Sequence, residues 1–99
     1  MTHADLVAAV LVELSRRGCF VWRNPTGVAT PLGTTRPVRY GLPGAPDVLG
    51  VLPGGQLLGV ECKVGRDRVR PDQERWHARA RALGARVVVV HGVEELDGL

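Results

Sequence analysis

Residues 46–63 read PDVLGVLPGGQLLGVECK, and this stretch predicts the β-hairpin around which the rest of the fold is arranged. Two apolar runs, at 47–52 and 57–64, are separated by the sequence PGGQ. Proline followed by two glycines is typical of a tight turn, and apolar runs of this length are typical of strands. We therefore expect two antiparallel strands joined by a short turn.

The predicted hairpin places three charged side chains at one end of a sheet. Asp47 begins the first strand, and Glu61 and Lys63 lie near the end of its antiparallel partner, so the turn folds them back beside Asp47. Glu61 and Lys63 are two residues apart in a strand and therefore point to the same face. The sequence thus predicts that two carboxylates and an ammonium group converge.

Patterns on either side of the hairpin predict an α/β domain with a mixed sheet flanked by helices, in the order αβββαβ. The expected elements are a helix at 4–17, a strand at 19–23, an edge strand at 38–40 and, after the hairpin, a helix at 70–83 and a strand at 86–91. Residues 24–46 hold five of the seven prolines, which favours a functional loop or a loose hairpin. Four consecutive valines in the last strand predict burial on both faces.

Length and composition limit the class of protein. Ninety-nine residues, 44% of them hydrophobic and 23% charged, predict a single folded domain over 1–99. No apolar run is long enough to cross a membrane, and the N-terminus lacks the pattern of a signal peptide, so we expect a cytoplasmic protein without membrane contact. Two cysteines, Cys19 and Cys62, are too few for a disulfide scaffold and are not arranged as a zinc site.

The basic residues are unevenly distributed along the chain. Between Lys63 and Arg86 there are eight basic residues against three acidic ones, which favours either a polyanionic partner such as nucleic acid or a solvated surface. Twelve of the thirteen basic residues are arginine, and Lys63 is the only lysine. A single lysine in such a sequence suggests a position where arginine does not serve.

Two converging carboxylates in an apolar hairpin require a cation, because otherwise they repel and one becomes protonated. Oxygen ligands suit Mg²⁺ or Mn²⁺, and the backbone carbonyl of Cys62 adds a candidate ligand to Asp47 and Glu61. Such an ion would activate a water molecule and neutralise charge on a phosphate, while Lys63 would orient or deprotonate the water or stabilise the developing negative charge. The alternative is a hairpin with a solvent-exposed Glu–Lys pair.

Three ordered motifs resemble the VRR-NUC group of the PD-(D/E)xK nuclease superfamily. They are Gly44-Ala45-Pro46-Asp47, Glu61-Cys62-Lys63 and Pro71-Asp72-Gln73, the last on a helix that contains Trp76 and ends at Gly84. Val21-Trp22-Arg23-Asn24 and Gly27 also resemble the first strand and loop of that group. The resemblance extends over most of the chain and implies a restriction endonuclease-like core.

The resemblance implies a metal-dependent endonuclease that hydrolyses DNA phosphodiester bonds. Asp47 and Glu61 would hold the metal, Lys63 would serve the attacking water, and Gln73 would position the phosphate or the water. Small members of this group are often phage or bacterial proteins that act as dimers on branched DNA, in replication, repair or recombination. A homodimer would also widen the small DNA footprint of one chain, through the four-valine strand or an exposed helix face.

The first helix departs from the pattern of the group, which usually places a further metal-site glutamate there. Asp5 and Glu13 are the candidates, and helical geometry favours Glu13, which borders the apolar stripe.

His77 lies one turn from Gln73 and is expected at the surface, whereas Trp22 is expected in the core. Arg36 and Arg39 belong either to an arm over the substrate or to an ordinary loop.

Two other functions remain open at this stage. A nuclease fold can serve as a DNA-binding or protein-interaction module that does not cut, in which case binding would not depend on metal. Cleavage of RNA is the third possibility, and a substrate with 2′-hydroxyl groups would test it.

Overall fold

The computed structural model describes every residue from Met1 to Leu99. Its elements are α1 (His3–Arg16), β1 (Phe20–Arg23), β2 (Gly27–Ala29), β3 (Val38–Tyr40), β4 (Val48–Val51), β5 (Leu57–Cys62), α2 (Pro71–Ala82), β6 (Arg86–Val90) and a 3₁₀ turn at Val93–Leu96. The helices and strands predicted from sequence are all present, with ends that differ by one or two residues. No helix is both long enough and apolar enough to span a membrane.

A four-stranded sheet in the order β1-β4-β5-β6 forms the centre of the molecule. β4 pairs antiparallel with both β1 and β5, whereas β6 pairs parallel with β5 after the crossover through α2. The predicted mixed sheet flanked by helices is therefore confirmed. The PGGQ turn joins β4 to β5 as expected, and Gly54 and Gly55 both adopt the positive φ angles that favour glycine.

Helix α1 covers one face of this sheet and supplies four of the ten core residues. Thr2 caps the helix in a capping box with Asp5, which satisfies two free N–H groups at its start. The buried stripe of the helix packs on the inward side chains of β4, β5 and β6; the core comprises Leu6, Val7, Val10, Leu14, Val48, Leu58, Val60, Cys62, Val90 and Leu96. Burial of this stripe fixes α1 against the sheet.

The proline-rich segment forms a small hairpin of its own. β2 and β3 pair antiparallel, with Val28 opposite Arg39, and they do not join the main sheet. The loose hairpin expected for residues 24–46 is therefore present, but Val38–Tyr40 is not an edge strand of the main sheet. We call residues 27–40 the arm.

One expectation about burial is confirmed in part, and another is wrong. Val87 and Val90 of β6 are buried on opposite faces of the sheet, as expected, whereas Val88 and Val89 between them are only partly buried at this edge. Trp22, expected in the core, is 41% exposed, because α2 packs over β5 and β6 and leaves the same face of β1 uncovered. Apolar composition does not show which side of a strand another element will cover.

Candidate active site

A hydrogen bond from the backbone of Cys62 fixes the side chain of Asp47 next to Glu61 in the hairpin. The last ladder pair of β4 and β5 is Val48 with Val60, so Cys62 lies beyond it and has no backbone partner on that side. The Cys62 amide instead donates a hydrogen bond to Oδ2 of Asp47, at 2.8 Å. The N–H and C=O of one residue in a strand point to the same side, so the Cys62 carbonyl also faces Asp47.

Glu61, Lys63 and Gln73 form a buried hydrogen-bonded network. Nζ of Lys63 donates to Oε1 of Gln73 at 2.9 Å and lies 3.8 Å from Oε1 of Glu61. Nε2 of Gln73 donates to the same glutamate oxygen at 3.2 Å. The backbone N–H of Arg70 donates to Oε1 of Gln73 at 2.8 Å, which ties the amide to the start of α2. Lys63 and Gln73 are almost fully buried, which excludes a solvent-exposed Glu–Lys pair.

The electrostatics of the site are set by Glu61, whose side chain is only 2% exposed. Burial, followed by a hydrogen bond with Asp47 and its negative charge, raises the pKa of Glu61 to about 8 despite the opposing effect of Lys63 and Arg70. The same surroundings raise the pKa of the Cys62 thiol to about 12, again mainly through burial. The site therefore lacks positive charge for two ionised carboxylates.

This donor set suits a hard divalent cation. Asp47, Glu61 and Cys62 line the same cleft, and a cation held by the two carboxylates and the Cys62 carbonyl would allow Glu61 to ionise despite its burial. The chain holds no cluster of three or more His, Cys, Asp and Glu side chains arranged to bind a metal. Any ion would therefore depend on Asp47, Glu61, backbone oxygen and water.

Neither acid of the first helix reaches the site. Asp5 belongs to the N-terminal capping box, and Glu13 forms ion pairs with Arg16 and Arg17 near the C-terminal end of α1. The expectation that Glu13 supplies a further ligand is wrong, because its position near the apolar stripe is used for these local ion pairs.

His3 is the first-helix residue that the structure places at the site. Its Nε2 lies 3.2 Å from Oδ2 of Asp47. Sequence reasoning missed this residue, although a signal was available: His3 precedes Val7, Val10 and Leu14 by four, seven and eleven residues and so extends the buried stripe by one turn.

His77 is buried beside Glu61, and the expectation of a surface histidine is wrong. Its Nε2 lies 3.8 Å from Oε2 of Glu61, and these two atoms are the buried side-chain polar atoms without a hydrogen-bond partner. Burial, followed by the charges of Arg81 and Lys63, lowers the pKa of His77 and favours the neutral ring. Gln73 and His77 are four residues apart on α2, so the helix face that carries Gln73 into the site also carries His77.

A polar cleft of about 320 Å³ opens above the network. Its walls combine the base of the arm, the start of α1 and the loop before α2; they include His3, Thr26, Asp47, Glu61, Lys63, Asp67, Arg70 and Gln73. Arg66 and Arg68 flank Asp67 in that loop, and Arg39 with Arg70 lines a smaller cleft next to it. The cleft is therefore acidic at its floor and basic at its rim.

A mixed sheet flanked by helices, with two carboxylates, a lysine and a glutamine around such a cleft, defines the class of this α/β domain. Comparison with known families narrows the class: the model of the VRR-NUC domain matches residues 32–94, nearly two thirds of the chain. The chain therefore belongs to the VRR-NUC domain family, as its motifs indicated.

Two individual relatives agree with this assignment. A solved structure described as a VRR_NUC domain superposes with a TM-score of 0.66 and 27% sequence identity, covering 96% of this chain and 89% of that one. The protein named "Putative nuclease p44", from Acyrthosiphon pisum secondary endosymbiont phage 1, is 46% identical over 53 residues. The aligned segment covers 54% of this chain and 57% of the phage protein.

Proposed function

We propose that this chain is a Mg²⁺- or Mn²⁺-dependent endonuclease that hydrolyses phosphodiester bonds in DNA. The observation that carries the proposal is the buried Glu61–Lys63–Gln73 network beside Asp47, at the floor of a cleft with an arginine-rich rim. Membership in the VRR-NUC family and the name of the phage relative support the same reaction class. The rim provides cations for the DNA backbone.

Each side chain of the site has a separate role in this proposal. Asp47, Glu61 and the Cys62 carbonyl hold the cation, which when bound supplies positive charge for the phosphate and acidifies water. Lys63 donates hydrogen bonds to the attacking water or to a phosphate oxygen. Gln73 holds the Lys63 ammonium and one oxygen of Glu61 in place, so its substitution disturbs both partners.

The substrate that we propose is branched DNA, such as a junction or a flap, processed in replication, repair or recombination. A single chain of 99 residues offers a small surface, and a second copy would provide a second cleft for paired cuts. The homodimer and the branched substrate belong together, because two clefts are useful where two strands must be cut.

The proposed activity is tested by incubating the full chain with end-labelled four-way junction, flap, fork and linear duplex DNA in Mn²⁺. We expect cleavage by the wild type and a loss of about a hundredfold to a thousandfold in Asp47→Ala and in Lys63→Ala, as is typical when an electrostatic catalytic group is removed. Glu94→Ala serves as the matched control, because Glu94 is an exposed acid in the C-terminal 3₁₀ turn. Chelation of the metal should abolish cleavage by the wild type.

The results of this assay distinguish DNA cleavage at the proposed site from a wrongly assigned site and from RNA cleavage. Cleavage by the wild type and the control alone supports the proposal, and a preference among the four substrates identifies the DNA structure that is recognised. Equal cleavage by wild type and Asp47→Ala would contradict the site. A matched RNA substrate distinguishes DNA cleavage from RNA cleavage, since only RNA carries the 2′-hydroxyl group.

A second function, DNA binding without cleavage, is favoured by one observation. The first helix contributes His3 instead of an acid, so Asp47 and Glu61 are the only carboxylates assigned to the candidate metal site. For such a binding module we expect equal DNA affinity with and without Mn²⁺, a small effect of Lys63→Ala on that affinity, and no cleavage of any substrate.

A further inference from the structure

Half of the sheet face that carries the active site is left uncovered. On this face the strand register forms two apolar rows, one of Phe20, Val51 and Leu57 and the next of Trp22, Leu49 and Gly59. Trp76 of α2 packs over Gly59, so the helix covers β5. β1 and β4 have no corresponding helix on this side.

The uncovered face is apolar and exposed. Phe20 is 72% exposed and its ring lies 5.4 Å from that of Trp22, measured between ring centres. Beside this pair, a groove of about 520 Å³ runs along α2, lined by Leu57, Trp76 and Leu83, with Leu42 at its edge. Leu57, Leu42 and Leu83 are 43%, 62% and 75% exposed. We call Phe20, Trp22, Leu57, Leu83 and this groove the apolar face.

The charge of the apolar face argues against nucleic acid as its occupant. Among the ten residues that line the groove, Arg79 is the only charged one. A surface that binds a polyanion needs several cations, which the rim of the active-site cleft has and this face lacks. Depletion of charge around aromatic and aliphatic side chains is instead typical of the centre of a protein–protein interface.

The size and shape of the apolar face point to a second copy of this chain. Phe20, Trp22, Leu57 and Leu83 are each at least 41% exposed. An apolar patch of this kind, on the order of a few hundred Å², marks an interaction site, and a polar rim extends it toward the ~800 Å² per partner of a standard interface. A twofold interface uses the same patch on both copies and must be complementary to itself. The apolar face has both parts that this requires, the protruding Phe20 ring and a groove large enough to receive it.

We propose that two copies of the chain associate through the apolar face, with Phe20 of each copy directed into the groove of the other. The proposal specifies the interface of the homodimer that belongs to the proposed function. Of the two interfaces expected from sequence, it excludes the four-valine strand and uses an exposed helix face, that of α2, together with β1. Leu49 is two residues from Asp47, about 7 Å along the strand. The partner would therefore border each active-site cleft without filling it.

The interface is tested by measuring the mass of the full chain by sedimentation equilibrium over a wide range of concentration, without DNA. We expect twice the 10.6 kDa of one chain for the wild type. Phe20→Glu and Leu83→Glu, at opposite ends of the apolar face, should each weaken association by at least about a hundredfold, because a twofold interface buries each new charge twice. Val12→Glu is the matched control, since Val12 is 70% exposed on α1, on the other side of the sheet.

Circular dichroism of the three variants verifies their fold, and several results would overturn the proposal. A monomer at every concentration would do so, as would a dimer that both variants leave intact. If Phe20→Glu weakened DNA binding by a monomeric protein, the apolar face would be a DNA contact instead. Lys63→Ala should remain dimeric, so a failed nuclease assay and a failed dimer can be told apart.

Discussion

Glu61 is the residue at which burial and charge conflict most directly. Its carboxyl lies beside Asp47, its Oε2 has no hydrogen-bond partner, and its pKa is raised to about 8. In an unfolded chain its pKa would be near 4.5, the ordinary value for a glutamate. A raised pKa means that the folded state holds this proton more tightly than the unfolded state does, so the contribution of Glu61 to stability depends on pH.

This conflict predicts how stability changes with pH and with metal. The Glu61 contribution is complete below pH 4.5 and is lost as pH rises toward about 8, where the folded protein must also release the proton. A bound cation favours the ionised carboxylate, so Mg²⁺ or Mn²⁺ should raise the thermal unfolding midpoint more at pH 8 than at pH 5. Thermal unfolding with added metal or with chelator, at both pH values, measures the effect.

Glu61→Gln is the control for this prediction, because glutamine has nearly the same shape and does not titrate. In this variant the stability should no longer decline between pH 4.5 and 8, and the added metal should raise the thermal unfolding midpoint much less than in the wild type. An equal metal response in the variant would mean that Glu61 does not hold the ion.

At the scale of the element, β5 carries the core and the site on opposite faces. Leu58, Val60 and Cys62 pack against α1, while Gly59, Glu61 and Lys63 point toward α2. The segment at 41–46 completes this second layer by packing along the first turn of α2. A Cβ atom at Gly44 would lie 2.3 Å from the backbone oxygen of Asp72, so only glycine permits this approach.

Gly44→Ala should therefore destabilise the protein and displace the start of α2, which carries Gln73. Two costs combine here: a φ angle of +84°, worth about 1–2 kcal/mol for a residue with a side chain, and a steric overlap worth about 1–3 kcal/mol. Denaturant unfolding measures the loss, and we expect cleavage to fall because Gln73 holds Lys63.

Gly33→Ala is the control that carries the φ cost without the steric overlap, so the difference between the two variants gives the cost of the overlap. Gly33 has nearly the same φ angle, +80°, but no atom within 4 Å of the new Cβ. Its substitution should reduce the free energy of unfolding only by the conformational cost. An equal loss for the two variants would show that the contact with Asp72 contributes nothing.

At the scale of the whole molecule, charge and apolar surface are separated. The active-site cleft has its arginines in the loop before α2 and at the base of the arm. The apolar face lies beyond the cleft on the same side of the sheet. At the C-terminus, Arg17 ties α1 to the 3₁₀ turn through the Leu96 carbonyl and Asp97, which keeps acidic residues of the terminus near α1.

This separation predicts which arginines contact DNA. The double variant Arg66→Ala/Arg68→Ala should weaken DNA binding for all sequences and reduce the slope of log affinity against log salt by about 2, one for each lost phosphate contact. Arg86→Ala is the comparison, because Arg86 begins β6 opposite Leu58, far from the site end of β5. Binding titrations on duplex DNA at several salt concentrations measure both slopes, and equal slopes for wild type and double variant would exclude contact by this loop.

Local patterns in the sequence predicted the elements and the centre of the site. The hairpin, both helices and the convergence of Asp47 with Glu61 and Lys63 depend on periodicity, a turn and a spacing of sixteen residues or fewer. Such short-range geometry follows from strand alternation and antiparallel pairing alone. Gln73 could be placed at the site only through the family motif, because its approach requires α2 to pack on the sheet.

The remaining features were decided by long-range packing. Whether His3 or Glu13 faces Asp47 depends on how α1 lies across the sheet, and the burial of His77 depends on the rotation of α2 about its own axis. Trp22 and the two central valines of β6, Val88 and Val89, have core-like composition, yet they are exposed or partly exposed because β1 and β6 lie at the edges of the sheet. Residue types determine which surfaces favour burial, and only the arrangement of elements determines which of them one chain can cover.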